Sequence, residues 1–331
     1  MRAVELFAGA GGASLGMAAA GVEHLACIES NADAAATLAA AGFPAVCGDV
    51  RDLSLLGGLN PDLVWSSFPC QPFSSSGEKC GPADTDRNGW PWTVDALRVL
   101  KPRWFIAENV EGITRHGTHC DQACAGPGNC AAAYLDHVIL PDLHLLFGWV
   151  GARVLCCAGF GVPQRRRRLI VVAGPSQITW PKPTHGKPTD QIDLFGRKLM
   201  PWHTVREALG SARGGLCSSV VAWHTETNTS GGQARLPRSL DVPSSCPVAG
   251  GNAHGGLGVT HEDGSRRRLL PDECASIQGF PSDYPWLRSQ SKKSRYKQIG
   301  NAVPPVLAEV VTRAVIAADK AENPRGFSPQ N

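Results

Sequence analysis

Short apolar runs and amphipathic stretches take turns along the first half of this chain. Arg2–Phe7, His24–Ile28, Ala45–Cys47, Leu63–Trp65 and Trp104–Ala107 are too short for buried helices and rich in sheet-forming side chains. Helical patterning fills gaps between them. It runs over Ser14–Ala20 and again over Thr93–Leu100, where Val94, Leu97 and Leu100 share one face. Strand–helix alternation of this kind predicts a doubly wound α/β domain with its site at the carboxyl ends of the strands. Ala131–Leu146 reads as one helix interrupted near Pro141. Two more apolar strands, Ala152–Ala158 and Leu169–Ala173, form a hairpin that adds an antiparallel strand. A last helix follows Pro304-Pro305, with Leu307, Val310, Val311 and Val315 on its apolar face.

Residues from about 174 to 264 break the pattern. Pro, Gly, Ser, Thr and His are frequent there and helical periodicity is poor. The clearest element is a short helix after Thr204, a hydroxyl N-cap with Glu207 three residues on. Residues after Lys320 read as a frayed tail.

Composition bounds what this chain can be. It has 331 residues, 43% hydrophobic and 18% charged, which suits one large or two unequal folded domains. No apolar run is long enough to span a membrane, and Met1-Arg2-Ala3-Val4-Glu5 does not begin a signal peptide. The net charge is only +3, yet it is clustered at Arg165–Arg168, Arg266–Arg268 and Lys292–Lys297, as suits a bound polyanion. Twelve cysteines without a secretion signal point to reactive or metal-binding thiols rather than a disulfide framework.

The strand ends carry the chemistry. After the first strand comes Ala8-Gly9-Ala10-Gly11-Gly12, a glycine turn leading into a helix, which suits a nucleotide-like ligand. Its spacing is neither the dinucleotide fingerprint nor a phosphate-binding P-loop. Glu29 closes the second strand, where a carboxylate can accept ribose hydroxyls, and Asp49 follows the third. The fourth leads into Phe68-Pro69-Cys70-Gln71-Pro72, a thiol held in a stiff turn before a Ser- and Gly-rich loop. Glu108 closes the fifth, placed for acid–base work. In Gln164-Arg165-Arg166-Arg167-Arg168, alternation puts Gln164, Arg166 and Arg168 on one side.

Pro69-Cys70-Gln71-Pro72, Glu108-Asn109-Val110, the Gln-x-Arg-x-Arg run and Gly300-Asn301-Ala302-Val303-Pro304 resemble, in order, the motifs of the DNA cytosine-5 methyltransferases of bacterial and phage type. The resemblance covers roughly residues 1–172 and 265–318. It implies a Rossmann-like domain that uses S-adenosylmethionine, over 1–173 and 285–331, with a small target-recognition domain over 174–284. It gives Phe7, Gly9, Gly11, Gly12, Glu29, Asp49, Asn301 and Val303 to the cofactor. Cys70 becomes the nucleophile, Glu108 the partner of cytosine N3, Arg168 a neighbour of its O2, and Arg166 a group near the cleft or a phosphate. The implied substrate is a short sequence in double-stranded DNA with its base flipped out, transfer RNA being the alternative. The implied setting is a monomer in the cytoplasm of a prokaryotic or phage-infected cell, with a separately acting restriction endonuclease as a candidate partner. Asp272 departs from the family, where arginine is usual, which puts one phosphate or scaffold contact in doubt. Arg235, Arg238, Asn228, Gln233, Asn252 and His254 are candidate base readers.

One insertion stands outside that pattern. His116, His119, Cys120, Cys124 and Cys130 sit among Gly and Pro turns, a composition suited to structural zinc. Cys120, Cys124, Cys130 and His119 are the candidate ligands, with His116 or Cys80 as alternatives for the fourth position. A Cys-rich surface loop without metal is the other reading.

Overall fold

A computed structural model describes residues 1–69, 88–114, 134–187, 189, 192, 196, 198–211, 220–225, 237–245 and 257–323. Its main sheet has seven strands: β1 (Arg2–Leu6), β2 (Glu23–Glu29), β3 (Ala45–Cys47), β4 (Leu63–Ser66), β5 (Trp104–Val110), β6 (Trp149–Cys156) and β7 (Arg167–Gly174). Their order is β3-β2-β1-β4-β5-β7-β6. β1 pairs in parallel with both β2 and β4, so the strand order reverses beside it, where open α/β sheets bind their ligands. β7 runs antiparallel to β5 and β6, which is the expected terminal hairpin.

Period-two alternation divides the central strands between two apolar layers. Val64, Phe105 and Ala107 face one layer with Trp90, Val94, Leu97 and Leu100 of helix α3 (Trp90–Leu100). Leu63, Trp65, Trp104 and Ile106 face the other, with Met17 of α1 (Gly12–Ala19). Helix α2 (Ala32–Ala40) begins at Asn31, whose side chain accepts from the Ala34 amide at 3.0 Å. Helix α3 starts three residues before the patterned stretch at Thr93: Trp90-Pro91-Trp92 form its first turn, where proline's missing N–H costs no helical bond.

Near Pro141 the helix does not break. A π-turn over Leu135–Ile139 runs directly into α4 (Leu140–Leu146). The widened turn makes room for a proline ring that would otherwise strike the preceding carbonyls.

The middle of the chain is more regular than its pattern suggests. Two-residue strands β8 (His185–Gly186) and β9 (Met200–Pro201) pair with each other. Helix α5 (Val205–Ser211) has the expected reciprocal cap: the Thr204 amide donates to Glu207, and the Glu207 amide to the Thr204 hydroxyl. A four-stranded sheet follows from β10 (Val220–Thr225), β11 (Arg238–Ser239), β12 (Leu257–His261) and β13 (Arg266–Arg268), in the order β11-β10-β12-β13. Its core joins Val220, Trp223, Leu257 and Val259 to Phe280, Tyr284 and Trp286.

The chain then returns through α6 (Pro271–Ile277) and α7 (Lys292–Asn301) to α8 (Pro305–Glu322), which lies against α1. α8 is long and apolar because it is a core helix, with Leu307, Val311 and Val315 fully buried. Two glycines of α1 permit the approach. A Cβ on Gly12 would stand 2.1 Å from the Val303 carbonyl oxygen, and one on Gly16 would stand 2.2 Å from that of Pro305.

Candidate active site

The turn after β1 bends sharply. Phe7, Gly9 and Gly11 all have positive φ, at 56°, 57° and 87°. Glycine takes this region freely; for Phe7 it is a strained conformation, of the kind that persists where the surroundings over-determine it. Glu29 holds the turn from β2. One of its carboxylate oxygens accepts from the Gly9 amide at 2.8 Å and the other from the Asn31 amide at 2.7 Å. Tyr284 holds it from the far side, its O–H donating to the Ala10 carbonyl. Asp49 sits past the end of β3 in a fork made by Arg51, whose closest contact is 2.6 Å. That hydrogen-bonded guanidinium holds the Asp49 carboxyl below the usual carboxylate range. Arg51 also lies over the Trp92 ring, 4.9 Å from its centroid, linking the Asp49 corner to the start of α3.

Beneath the turn, Glu5 is buried on β1. The Ser14 hydroxyl donates to it at 2.5 Å, and burial pushes the carboxyl up to about 8. Glu5, His24 and Cys27 converge here, their ligating atoms all within 4.8 Å of one another.

Cys70 lies outside the described residues, as do the candidate zinc ligands Cys120, Cys124, Cys130 and His119, their alternatives His116 and Cys80, and the candidate base readers Arg235, Asn228, Gln233, Asn252 and His254. What carries Cys70 is described on both sides. Phe68 is buried against Trp90, with rings 5.4 Å apart, and its carbonyl accepts from the Asn109 side chain at 3.3 Å. A Cβ on Gly89 would stand 2.5 Å from the Pro69 ring, so the two stems of the intervening segment touch. Asn88 donates to the Tyr134 hydroxyl at 2.7 Å, and the Trp90 indole to Asp142 at 2.8 Å.

Glu108 lies at the carboxyl half of β5, one strand from this exit. It is buried and paired with Arg168, Nε to Oε1 at 2.8 Å. The alternation of the arginine run holds: Gln164 and Arg166 are buried, while Arg165 and Arg167 are exposed. Arg166 donates to the Gly300 carbonyl at 3.1 Å, so its described contact fixes the Gly300–Val303 turn that packs on Gly12. Gln164 donates to Gln278 at 2.7 Å, and Gln278 to the Ala302 carbonyl at 2.6 Å. Val303 is buried and Asn301 exposed. Cys157 lies beside Arg166, Arg168 and Glu108, but burial pushes its thiol up to about 12, so it is no competing nucleophile.

Sequence reasoning missed Glu5, Tyr284 and Gln278. Glu5 carried a signal, an acid inside an otherwise apolar strand; the other two act through contacts distant in the chain. At the departure noted for Asp272, the carboxylate pairs with Arg288 at 2.7 Å. Its neighbour Glu273 takes a two-pronged bond from Arg267, with both contacts at 2.8 Å. The basic clusters are also not uniformly solvated, since Arg166 and Arg295 are buried.

This turn suits S-adenosylmethionine: a backbone path open at Gly9 and a carboxylate at each of two strand tips, with the one at Asp49 already engaged by Arg51. Fold and site together define a Rossmann-like methyltransferase. The family model for C-5 cytosine-specific DNA methylases matches residues 1–195 and 217–317, and the chain belongs to that family. It is similar to Type II methyltransferase M.NaeI of Lentzea aerocolonigenes, at 32% identity over 96% of this chain and 75% of that one. It is also similar to Type II methyltransferase M.NgoMIV of Neisseria gonorrhoeae, at 31% identity over 97% and 98%. Its fold resembles the S. pombe Dnmt2 methyltransferase with a TM-score of 0.69 at 18% identity, covering 98% of this chain and 99% of that one. The protein is therefore an S-adenosylmethionine-dependent cytosine-5 methyltransferase.

Proposed function

We propose that the chain methylates carbon 5 of one cytosine in a short sequence of double-stranded DNA, with Cys70 as nucleophile. The observation that carries this is the buried Glu108–Arg168 pair, one strand from the rigid exit at Phe68-Pro69. Carbon 5 of free cytosine is a poor nucleophile, so the ring must first be activated covalently. The Cys70 thiolate adds to carbon 6, while Glu108 holds and protonates N3. Arg168 keeps Glu108 oriented and sits near O2. S-adenosylmethionine supplies an electrophilic methyl group, which carbon 5 accepts. Loss of the carbon-5 proton to a base then expels Cys70 and restores the ring. A base inside duplex DNA cannot reach this cleft, so it is flipped out.

Phe7, Gly9, Gly11, Gly12, Glu29, Asp49, Asn301 and Val303 form the cofactor cradle in this reading. The small domain over 174–284 reads the flanking bases, the protein acts as a monomer in the cytoplasm, and a separate restriction endonuclease is its candidate counterpart. The duplex reading rests on the family model and on the Type II relatives, which match nearly the whole chain. A transfer-RNA substrate is the second reading. It is favoured by the fold likeness to Dnmt2 chains, which covers 99% of those chains. Tritiated-methyl transfer to duplex DNA and to transfer RNA decides between them. Label in DNA alone, absent with Cys70→Ala, is expected. Label only in RNA replaces the substrate, and undiminished transfer by Cys70→Ala overturns the mechanism.

A further inference from the structure

We propose that Glu5, His24 and Cys27 form a divalent-metal site beneath the cofactor turn, with zinc the ion selected. The three residues come from adjacent parallel strands. Glu5 and Cys27 are direct register partners on β1 and β2, so their side chains share a face of the sheet. His24 precedes Cys27 by three residues and in a regular strand would point to the opposite face. A β-bulge prevents this. The register shifts between Ala3 and Val4, which pair with His24 and Ala26, so Leu25 is the extra residue. His24 is thereby turned onto the face of Glu5 and Cys27, and Leu25 packs in the layer on the opposite side.

The imidazole supplies an independent observation. His24 Nε2 is buried and has no hydrogen-bond partner among the described residues, an arrangement native interiors rarely leave. Phe43 packs edge-on against the same ring at 5.1 Å and gives it nothing to bond.

Donor chemistry sets the ion. One thiolate, one imidazole and one carboxylate form a mixed S, N, O set, which suits zinc over the hard cations magnesium and calcium. A bound carboxylate and thiolate carry two negative charges, so a divalent ion leaves the buried site neutral. Without an ion, burial raises both the Glu5 carboxyl and the Cys27 thiol and lowers the His24 imidazole to about 4, so all three stay uncharged. Tetrahedral zinc places its donor atoms about 3.3–3.8 Å apart. The 4.8 Å limit here therefore needs a contraction of up to about 1.5 Å, within reach of side-chain rotation. Ser14 Oγ, 2.5 Å from Glu5 Oε2 and 4.0 Å from Cys27 Sγ, is an oxygen placed to serve as a fourth donor. The ion would clamp β1, β2 and the first turn of α1. Its role is structural, because the cytosine chemistry needs no metal.

Cobalt(II) titration of the full chain tests this, in a background carrying Cys120, Cys124 and Cys130→Ser so that loop thiols do not contribute. One equivalent should bind with a near-ultraviolet thiolate-to-cobalt band. Cys27→Ala should abolish that band. His24→Ala should keep it but weaken binding by more than the roughly 10–100-fold typical of losing an outer-shell partner. Unchanged circular dichroism in chelator shows that each variant folds, and His24→Ala, at a partly exposed position, serves if Cys27→Ala does not. Absence of a thiolate band in that background overturns the site, as does a band indifferent to Cys27→Ala or an affinity indifferent to His24→Ala.

Discussion

The two sheets solve the same problem with different means. In the seven-stranded sheet, central strands are buried on both faces, and every ligand group named for the cofactor sits at or just beyond a strand end or in the turn that closes on it. The four-stranded sheet has strands as short as two residues and leans on aromatics and stacked arginines. Arg238 lies 5.5 Å over Trp223, and Arg268 4.3 Å over Tyr296. The first is a rigid floor fixed by its own packing. The second is a surface whose charges are held by planar rings, and its core meets the turn after β1 through Tyr284.

Four substitutions sharpen or break that contrast. Gly12→Ala drives a methyl group into the Val303 carbonyl. Overpacking of this kind costs about 1–3 kcal/mol after local shifts. Calorimetric titration should show S-adenosylmethionine binding abolished; retained binding would mean the floor is softer than its packing indicates. Glu108→Gln keeps the Arg168 contact but removes the proton donor, so kcat should fall about 10²–10⁴-fold with KM for the cofactor unchanged. Arg51→Ala frees Asp49 from an exposed fork, and the KM for S-adenosylmethionine should rise about two- to fivefold with kcat held. Arg238→Ala belongs to the other sheet. It should leave cofactor binding untouched and lower the slope of log affinity for nucleic acid against log salt by about 1. A cofactor defect in that variant would show the two sheets to be coupled.

The same contrast explains what was legible beforehand. β1, β2, β4 and β5 announce themselves because a strand buried on both faces reads as a continuous apolar run, and the polar residue ending it is then conspicuous. Glu29, Asp49 and Glu108 stand out in this way. Cys70 stands out by its prolines and by its likeness to a family motif. β11 and β13, two and three residues long, carry no such signal. They exist because Trp223 and Val259 have partners elsewhere in the chain, a tertiary effect that local propensity does not record. Tyr284 and Ala10 meet across 274 residues of sequence, which no window of periodicity could show. The bulge at Leu25 is equally silent, since it alters register rather than composition.

The packing of α8 on α1 has a consequence in time. The first helix ends at Ala19, and its partner begins only at Pro305. At about 5–20 residues per second, α1 waits roughly 15–60 s during synthesis for the surface that covers Gly12 and Gly16. Through that interval the turn after β1 lacks its Val303 wall. The turn after β1 therefore gains its Val303 wall in a single late step, once the chain leading into α8 has been made.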